Sequence, residues 1–182
     1  MDTRFSRVRS QETVAGNLLA DLYRVYYNSD VAICNGGSIR ANEKFEKGQH
    51  KARVGSKLLP LNGGLCQVLV SGKILLELAE NGVSLWPKCA GKWSTWSGLK
   101  FKFDPCKPVG KKILLDTFKN DKGEPIKMDK TYKMSVVQFL LKGQDGFSAI
   151  TDKSVKDISP PELPGDRDVF IQCYQNFALT NE

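Results

Sequence analysis

The chain has 182 residues, of which 41% are hydrophobic and 26% charged, and its 27 basic residues outnumber 20 acidic ones to give a net charge of +7. This composition excludes disordered and collagen-like proteins, and no stretch approaches the roughly 20 consecutive apolar residues of a membrane-spanning helix. The single histidine, His50, excludes a hydrolase centre built from several imidazoles within this chain.

The cysteines are widely spaced and form no C-x-x-C pair: Cys34, Cys66, Cys89, Cys106 and Cys173. This spacing disfavours a zinc ribbon or a thioredoxin-like site. We expect buried, small hydrophobic cysteines, although the number permits one disulfide. The lysines are scattered, which favours a solvated surface over a nucleic-acid groove. No apolar run of a secretory signal follows the first residues, so we expect no targeting to a membrane or an export route.

The N-terminal part predicts a helix followed by a buried strand. Over residues 12–27 an apolar stripe recurs at helical spacing, with Thr13 or Ser10 as N-cap: Val14, Leu18, Leu22 and Val25, widened by Leu19 and Tyr26. The short apolar run Val31–Cys34 predicts a strand, and Asn35-Gly36-Gly37 follows at its carboxyl end. Such a loop can turn backbone N–H groups toward a ligand. Residues 41–57 are polar and predict a surface loop that contains His50.

The rest of the chain alternates predicted strands with one or two helices. A strand is predicted at 65–70 and a helix at 73–82, where Ile74, Leu75, Leu78 and Ala79 share one face. Further strands are predicted at 97–104, 112–118 and 131–137, with a turn at 120–123 and a glycine loop at 143–147. A proline-rich clip at 159–165 precedes an apolar pattern at helical spacing over residues 168–177, formed by Val169, Phe170, Cys173, Tyr174 and Phe177. We therefore expect one α+β domain over residues 1–182, a mixed, mainly antiparallel sheet packed with two or three helices.

Six short motifs in a fixed order resemble the C-terminal domain of the 5′-nucleotidase family. They are Glu12-Thr13-x-x-Gly16-Asn17-Leu18, Asn35-Gly36-Gly37-x-Ile39-Arg40, Leu58-Leu59-Pro60, Glu80-Asn81-Gly82-Val83-Ser84, Ser97-Gly98-Leu99-x-Phe101-x-Phe103-Asp104-Pro105 and Gly143-x-Asp145-Gly146-Phe147. The family also contains UDP-sugar hydrolases, apyrases and cyclic-nucleotide phosphodiesterases. The resemblance covers about residues 7–150, and residues 151–182 form an extension.

The resemblance implies a division of labour between two domains. In the family, an N-terminal metallophosphoesterase domain binds two divalent metals that activate water, and the C-terminal domain recognises the nucleotide. None of the metal-binding motifs occurs here. The chain is therefore expected to carry no catalytic residue and no metal or cofactor, and to work with such a domain of the same protein in hydrolysing nucleotide phosphate esters.

The resemblance also implies individual roles for substrate-binding residues. Arg9 and Arg40 match arginines that face phosphate or ribose oxygens, and Asn35 matches an amide that hydrogen-bonds the base. Gly36 and Gly37 would let the ligand approach the backbone. Phe147 matches an aromatic ring that stacks on the base, and Asp152 is a candidate acceptor for a ribose hydroxyl.

Three residues depart from the family pattern. Leu61 stands where nucleotidases that stack the base between two rings have phenylalanine, and Ser38 and Gln144 each replace a glycine. The chain thus resembles a divergent branch, and its substrate is left open between AMP, UDP-sugars and cyclic nucleotides. An alternative is a non-catalytic interaction module whose ligand loops have degenerated. The segment around Arg9 lacks the cysteines of secreted members, which favours an intracellular location.

Overall fold

The computed structural model describes residues 1–46 and 53–179, with side chains up to residue 173. The part of the predicted surface loop that carries His50 lies outside the described residues. The described helices are α1 (Phe5–Val8), α2 (Val14–Tyr26), α3 (Arg53–Leu58), α4 (Gly72–Val83), α5 (Gln138–Leu141) and α6 (Asp166–Leu179). The strands are β1 (Val31–Asn35), β2 (Leu65–Ser71), β3 (Ser94–Ser97), β4 (Leu99–Lys100), β5 (Lys119–Asn120), β6 (Thr131–Val137) and β7 (Lys156–Asp157). Short 3₁₀ helices occupy Leu115–Thr117, Gln144–Gly146 and Ser148–Thr151.

The main sheet has five strands in the order β3-β1-β6-β2-β7. Only β1 and β6 pair in parallel, and the other three neighbouring pairs are antiparallel. This confirms the predicted α+β class with a mainly antiparallel sheet, and α2, α4 and α6 are its three long helices. Strands β4 and β5 form a separate two-stranded sheet.

The strand directions gather four chain segments at one edge of this sheet. The parallel strands β1 and β6 both end there, at Asn35 and Val137. The antiparallel strands β2 and β3 both begin there, because Leu65 pairs with Val137 and Ser94 pairs with Asn35. The loops that follow β1 and β6 and those that precede β2 and β3 therefore meet at this edge.

Helix α2 confirms the predicted helix but buries a different face. Thr13 is the N-cap, and its hydroxyl accepts a hydrogen bond from Gly16 N at 3.2 Å. The buried face consists of Ala15, Gly16, Leu19, Ala20 and Tyr23, whereas Val14 is 72% exposed and Leu18, Val25 and Tyr26 are also exposed. The small residues decide the orientation, since a Cβ on Gly16 would lie 2.5 Å from Thr95 Oγ1 of β3. The predicted stripe is therefore wrong for the four exposed residues, whereas Leu19 is buried and Leu22 half-buried as expected.

The predicted strands at 97–104 and 112–118 are much shorter than expected. Leu99–Lys100 is the main strand of the first segment, and Phe103 and Ile113 form an isolated bridge. In addition to this bridge, helix α4 holds the second segment, because the buried Glu80 carboxylate accepts hydrogen bonds from the N–H groups of Lys112 and Ile113, at 2.9 and 2.7 Å. A side-chain anchor of this kind satisfies backbone donors without a sheet partner.

The extension over residues 151–182 packs onto the rest of the fold. Strand β7 pairs with β2, and α6 contacts α2 and α3. Val169 and Phe170 are buried, which confirms the predicted apolar face of this helix as far as side chains are described. The predictions for Tyr174 and Phe177 concern side chains outside the described residues.

All five cysteines are free thiols. Cys34 and Cys66 are buried as expected, whereas Cys89 and Cys106 are exposed, so the prediction of burial is wrong for these two. Within residues 1–46 and 53–179, no helix combines the length and the apolar character needed to cross a membrane.

Candidate functional site

A cavity of about 450 Å³ opens at the sheet edge where the four loops meet. We call it the basic cavity, because Arg9, Arg40 and Lys142 line it. Its lining also includes the side chains of Asn35, Leu61, Phe139, Asp145 and Asp166. The topology thus brings together residues that are more than 150 positions apart in the chain.

Two positively charged arginines, Arg9 and Arg40, line this cavity and interact electrostatically. Arg9 directly follows α1, and its guanidinium carbon lies 3.9 Å from the centre of the Phe5 ring. Its Nε atom is buried with no hydrogen-bond partner among the described residues. Burial, and then the nearby positive charge of Arg40, lower the pKa of Arg9, and the Asp145 carboxylate acts in the opposite direction. The two neighbouring guanidinium groups and the unpaired Arg9 Nε donor would be stabilised by an anionic group between them.

Asn35 lies at the cavity but is already engaged by the protein. Its Oδ1 accepts a hydrogen bond from Ser38 Oγ at 2.6 Å, and its Nδ2 donates to Gly91 O at 3.2 Å. The same Nδ2 also donates to Asp145 Oδ2 at 3.4 Å. These hydrogen bonds connect Asn35 to Gly91 and Asp145, while direct contact with a base stays a prediction.

The N–H groups of the glycine loop do not form the outward-facing donor cluster expected from the sequence. Gly36 N donates to Trp93 O at 2.7 Å, and Gly37 N donates to Gly91 O at 2.9 Å. What approaches Gly36 closely is the backbone of α1, because a Cβ there would overlap the carbonyl oxygen of Val8. Gly37 lines the cavity and packs against Gly91. These glycines allow close packing of chain segments around the cavity.

The structure separates Phe147 and Asp152 from the basic cavity, which corrects the position expected for both. Phe147 is 1% exposed and belongs to the hydrophobic core, because the tight turns on either side direct its ring inward. A ring buried in this way presents no face to a ligand. Asp152 lies on another part of the surface, where its carboxylate accepts hydrogen bonds from Ser154 N and Oγ, and these bonds lower its pKa.

Two nearby residues, Phe139 and Asp145, line the basic cavity instead. Phe139, in helix α5, is 48% exposed and lines the cavity. Asp145 has a left-handed backbone conformation with φ of 55°, and its carbonyl oxygen accepts a hydrogen bond from Asn81 Nδ2 at 3.1 Å. A non-glycine residue held at positive φ is a common feature of functional sites. Its place between Gly143 and Gly146 was the sequence signal that could have identified it.

Leu61 forms a second exposed apolar surface in the cavity. It is 69% exposed, although leucine side chains are usually buried. Together with Phe139 it gives the cavity two apolar side chains beside the charged groups. The arrangement suits a ligand with a flat apolar part and an anionic part.

Asp166 brings the extension into the site. It is the first residue of α6, is 4% exposed, and lies 3.4 Å from the Tyr23 hydroxyl, which donates to Oδ2. Burial raises its pKa from 3.8 to about 6, and hydrogen bonds from Arg167 N and Tyr23 reduce that increase.

The raised pKa predicts a measurable pH dependence of stability. The folded chain keeps the Asp166 proton up to about pH 6, whereas the unfolded chain releases it near pH 3.8, so the folded state binds more protons between these values. The contribution of Asp166 to stability therefore increases as the pH falls through this window. We expect Asp166→Asn to be more stable than the wild type at about pH 7, by about 1 kcal/mol, with the difference shrinking toward about pH 4.5.

Urea denaturation at several pH values tests this prediction. The matched control is Asp168→Asn in the same helical turn, whose carboxylate is 60% exposed and pairs with Arg167 at 3.7 Å. A difference that stays constant with pH for Asp166→Asn would contradict the assignment.

Across residues 1–46 and 53–173, no group of three or more His, Cys, Asp or Glu side chains could hold a metal ion. The basic cavity is lined by three cationic side chains, those of Arg9, Arg40 and Lys142, which suit an anionic ligand.

Comparison with known proteins places this geometry in context. A family model described as 5′-nucleotidase, C-terminal domain matches residues 1–152. The trifunctional nucleotide phosphoesterase protein YfkN of Bacillus subtilis (strain 168) is 27% identical over 160 residues, which cover 85% of this chain and 11% of that protein. The 5′-nucleotidase of Bos taurus is 25% identical over 187 residues, covering 94% of this chain and 32% of that protein.

A solved structure agrees with these sequence matches. The 5′-nucleotidase precursor from Thermus thermophilus has a TM-score of 0.84 and 26% identity, covering 96% of this chain and 34% of that chain. This chain therefore spans about a third of the length of two of these proteins and about a tenth of the third.

Proposed function

Because the chain belongs to the 5′-nucleotidase C-terminal domain family, we propose that it is the nucleotide-recognition part of a phosphoester hydrolase. It binds the nucleotide in the basic cavity. Water activation takes place on another domain of a longer protein, which also holds the two divalent metals. No catalytic group of the reaction is assigned to this chain.

The arginine pair is the observation that carries the proposal. Arg9 has a buried Nε without a partner, and Arg40 is exposed and forms no ion pair with any residue in the described ranges. A phosphate between them gains charge-assisted hydrogen bonds and relieves the repulsion between the two cations.

The remaining cavity residues support recognition of the nucleoside. The exposed Phe139 ring offers a stacking surface for a base, and stacking of this kind contributes roughly 1–3 kcal/mol. The Asp145 carboxylate can accept hydrogen bonds from ribose hydroxyls, since Asn35 Nδ2 donates to its Oδ2 and Asn81 Nδ2 holds the backbone carbonyl of the same residue.

Calorimetric titration with AMP and adenosine tests the proposal. We expect AMP to bind more tightly than adenosine, and we expect Arg40→Ala to weaken AMP binding about tenfold while changing adenosine binding little. The reason is that only AMP carries the phosphate that the guanidinium contacts. Arg53→Ala, which removes an exposed arginine of α3 outside the cavity, is the matched control.

Two outcomes would contradict the proposal. If Arg40→Ala weakened the binding of AMP and of adenosine equally, Arg40 would not contact the phosphate. If neither ligand bound, the chain would instead be an interaction module with degenerate loops. We also expect no release of phosphate from AMP by this chain with added divalent metals. Any such turnover would contradict the assignment of the chemistry to another domain.

A further inference from the structure

A second, larger cavity of about 740 Å³ lies on another part of the fold. It is bounded by the N-terminal half of α2, by β3 and β4, and by the segment that follows β4. It shares no lining residue with the basic cavity. We call it the aromatic cavity after the five rings that line it: Trp86, Trp93, Trp96, Phe101 and Phe103.

Three of the five rings form a connected wall. Trp86 and Trp93 each pack edge-on against Phe103, with ring centroids 5.7 and 6.1 Å apart. The indole nitrogen of Trp86 donates to Ser10 O at 3.1 Å, and that of Trp96 donates to Ser94 Oγ at 3.0 Å. These bonds fix the two indoles, so the wall is preformed.

The charge of this cavity is opposite to that of the chain. Glu12, Asp21 and Asp121 line it against a single cation, Lys100. Asp121 pairs with Lys100 at 3.6 Å and with Arg24 at 3.4 Å. Glu12 and Asp21 form no ion pair with any described residue; Glu12 accepts from Asn17 Nδ2 at 2.8 Å, and Asp21 accepts from Ser97 Oγ at 2.5 Å.

Asn17 and Trp93 add two unused polar atoms at this wall. Both residues line the cavity, and Asn17 Oδ1 and Trp93 Nε1 are buried without a hydrogen-bond partner within the described residues. A buried acceptor and a buried donor without partners are costly, and each calls for an explanation. A ligand hydroxyl group has the chemistry to satisfy either atom, because it can donate to the amide oxygen and can accept from the indole N–H.

From these observations we infer that the aromatic cavity binds an organic cation, an alkylammonium ligand whose charge lies against the indole faces and near the carboxylates of Glu12 and Asp21. Aromatic faces attract cations through the ring quadrupole, most strongly for tryptophan. The unpaired carboxylates add a longer-range attraction for the same charge. This site is independent of the function proposed for the basic cavity.

Choline and its uncharged carbon isostere, in which a tert-butyl group replaces trimethylammonium, provide the test. All three tryptophans of the chain line the aromatic cavity, so intrinsic fluorescence reports binding there directly. We expect saturable quenching by choline and binding of the isostere weaker on the order of fivefold, because the two ligands differ in charge but hardly in shape. Saturating AMP should leave the choline titration unchanged.

A conservative variant distinguishes a local effect of the Asp21 carboxylate from the effect of changing the net charge of the chain. Asp21→Asn keeps an acceptor for Ser97 and is expected to weaken choline binding about threefold. Asp116→Asn, an exposed acid of the 3₁₀ helix Leu115–Thr117 outside the cavity, should leave it unchanged. Equal binding of choline and its isostere, or equal losses in the two variants, would overturn the inference. Absence of binding by both ligands would overturn it as well, and that comparison uses the unmodified chain.

Discussion

Replacing Gly36 with alanine is expected to lower the free energy of unfolding by about 3 kcal/mol, which corresponds to a fall in Tm of about 6–12 °C for a chain of this size. A Cβ at this position would overlap the carbonyl oxygen of Val8 and lie 3.2 Å from the Cα of Arg9. Both contacts are backbone atoms, which cannot rotate away as a flexible side chain can. The end of α1 must therefore move, and Arg9 moves with it.

The expected consequence is a combined loss of stability and of AMP affinity. Thermal unfolding and calorimetric titration measure the two effects separately. Gly63→Ala is the control, since Gly63 lines the basic cavity and a Cβ there would meet nothing within 4 Å. If Gly36→Ala were as stable as Gly63→Ala, the result would contradict the close packing of α1 against the glycine loop.

Replacing Leu61 with phenylalanine is expected to tighten nucleotide binding by about 2 kcal/mol, on the order of thirtyfold. Leu61 is exposed in the basic cavity, so a larger ring can enter the open space without displacing core residues. A phenylalanine there would give the base a second stacking surface in addition to Phe139. This residue is the main departure from the family pattern, and the substitution restores the pattern.

The gain should depend on the base. In the same calorimetric titration, we expect Leu61→Phe to bind AMP more tightly than the wild type does. We expect its affinity for ribose 5-phosphate, which lacks a base, to be unchanged. Leu115→Phe is the control, because Leu115 is equally apolar and exposed but lies outside the cavity. A gain of similar size for ribose 5-phosphate would mean that Leu61 does not face the base.

The candidate site was only partly predictable from sequence. Asn35, Gly37 and Arg40 line the basic cavity, because the motif after β1 lies at a strand's carboxyl end, where loops commonly form sites. The glycine motif favoured Phe147 over Phe139, since Phe147 lies within it. Periodicity and motif spacing do not tell which of two rings eight residues apart faces the core and which faces solvent.

The sequence by itself determined the family, the α+β class, the positions of β1, β2, β6, α2 and α4, and the absence of enough histidines for an imidazole metal centre. These properties depend on local patterns and on ordered motifs, which are legible along the chain. Only the tertiary structure decided which face of α2 is buried, because that depended on close contact between Gly16 and Thr95 of β3. Only the tertiary structure shows that Arg9, Phe139, Asp145 and Asp166 line one cavity. Their proximity follows from the strand order and register, which bring residues that are far apart in the sequence close together in space.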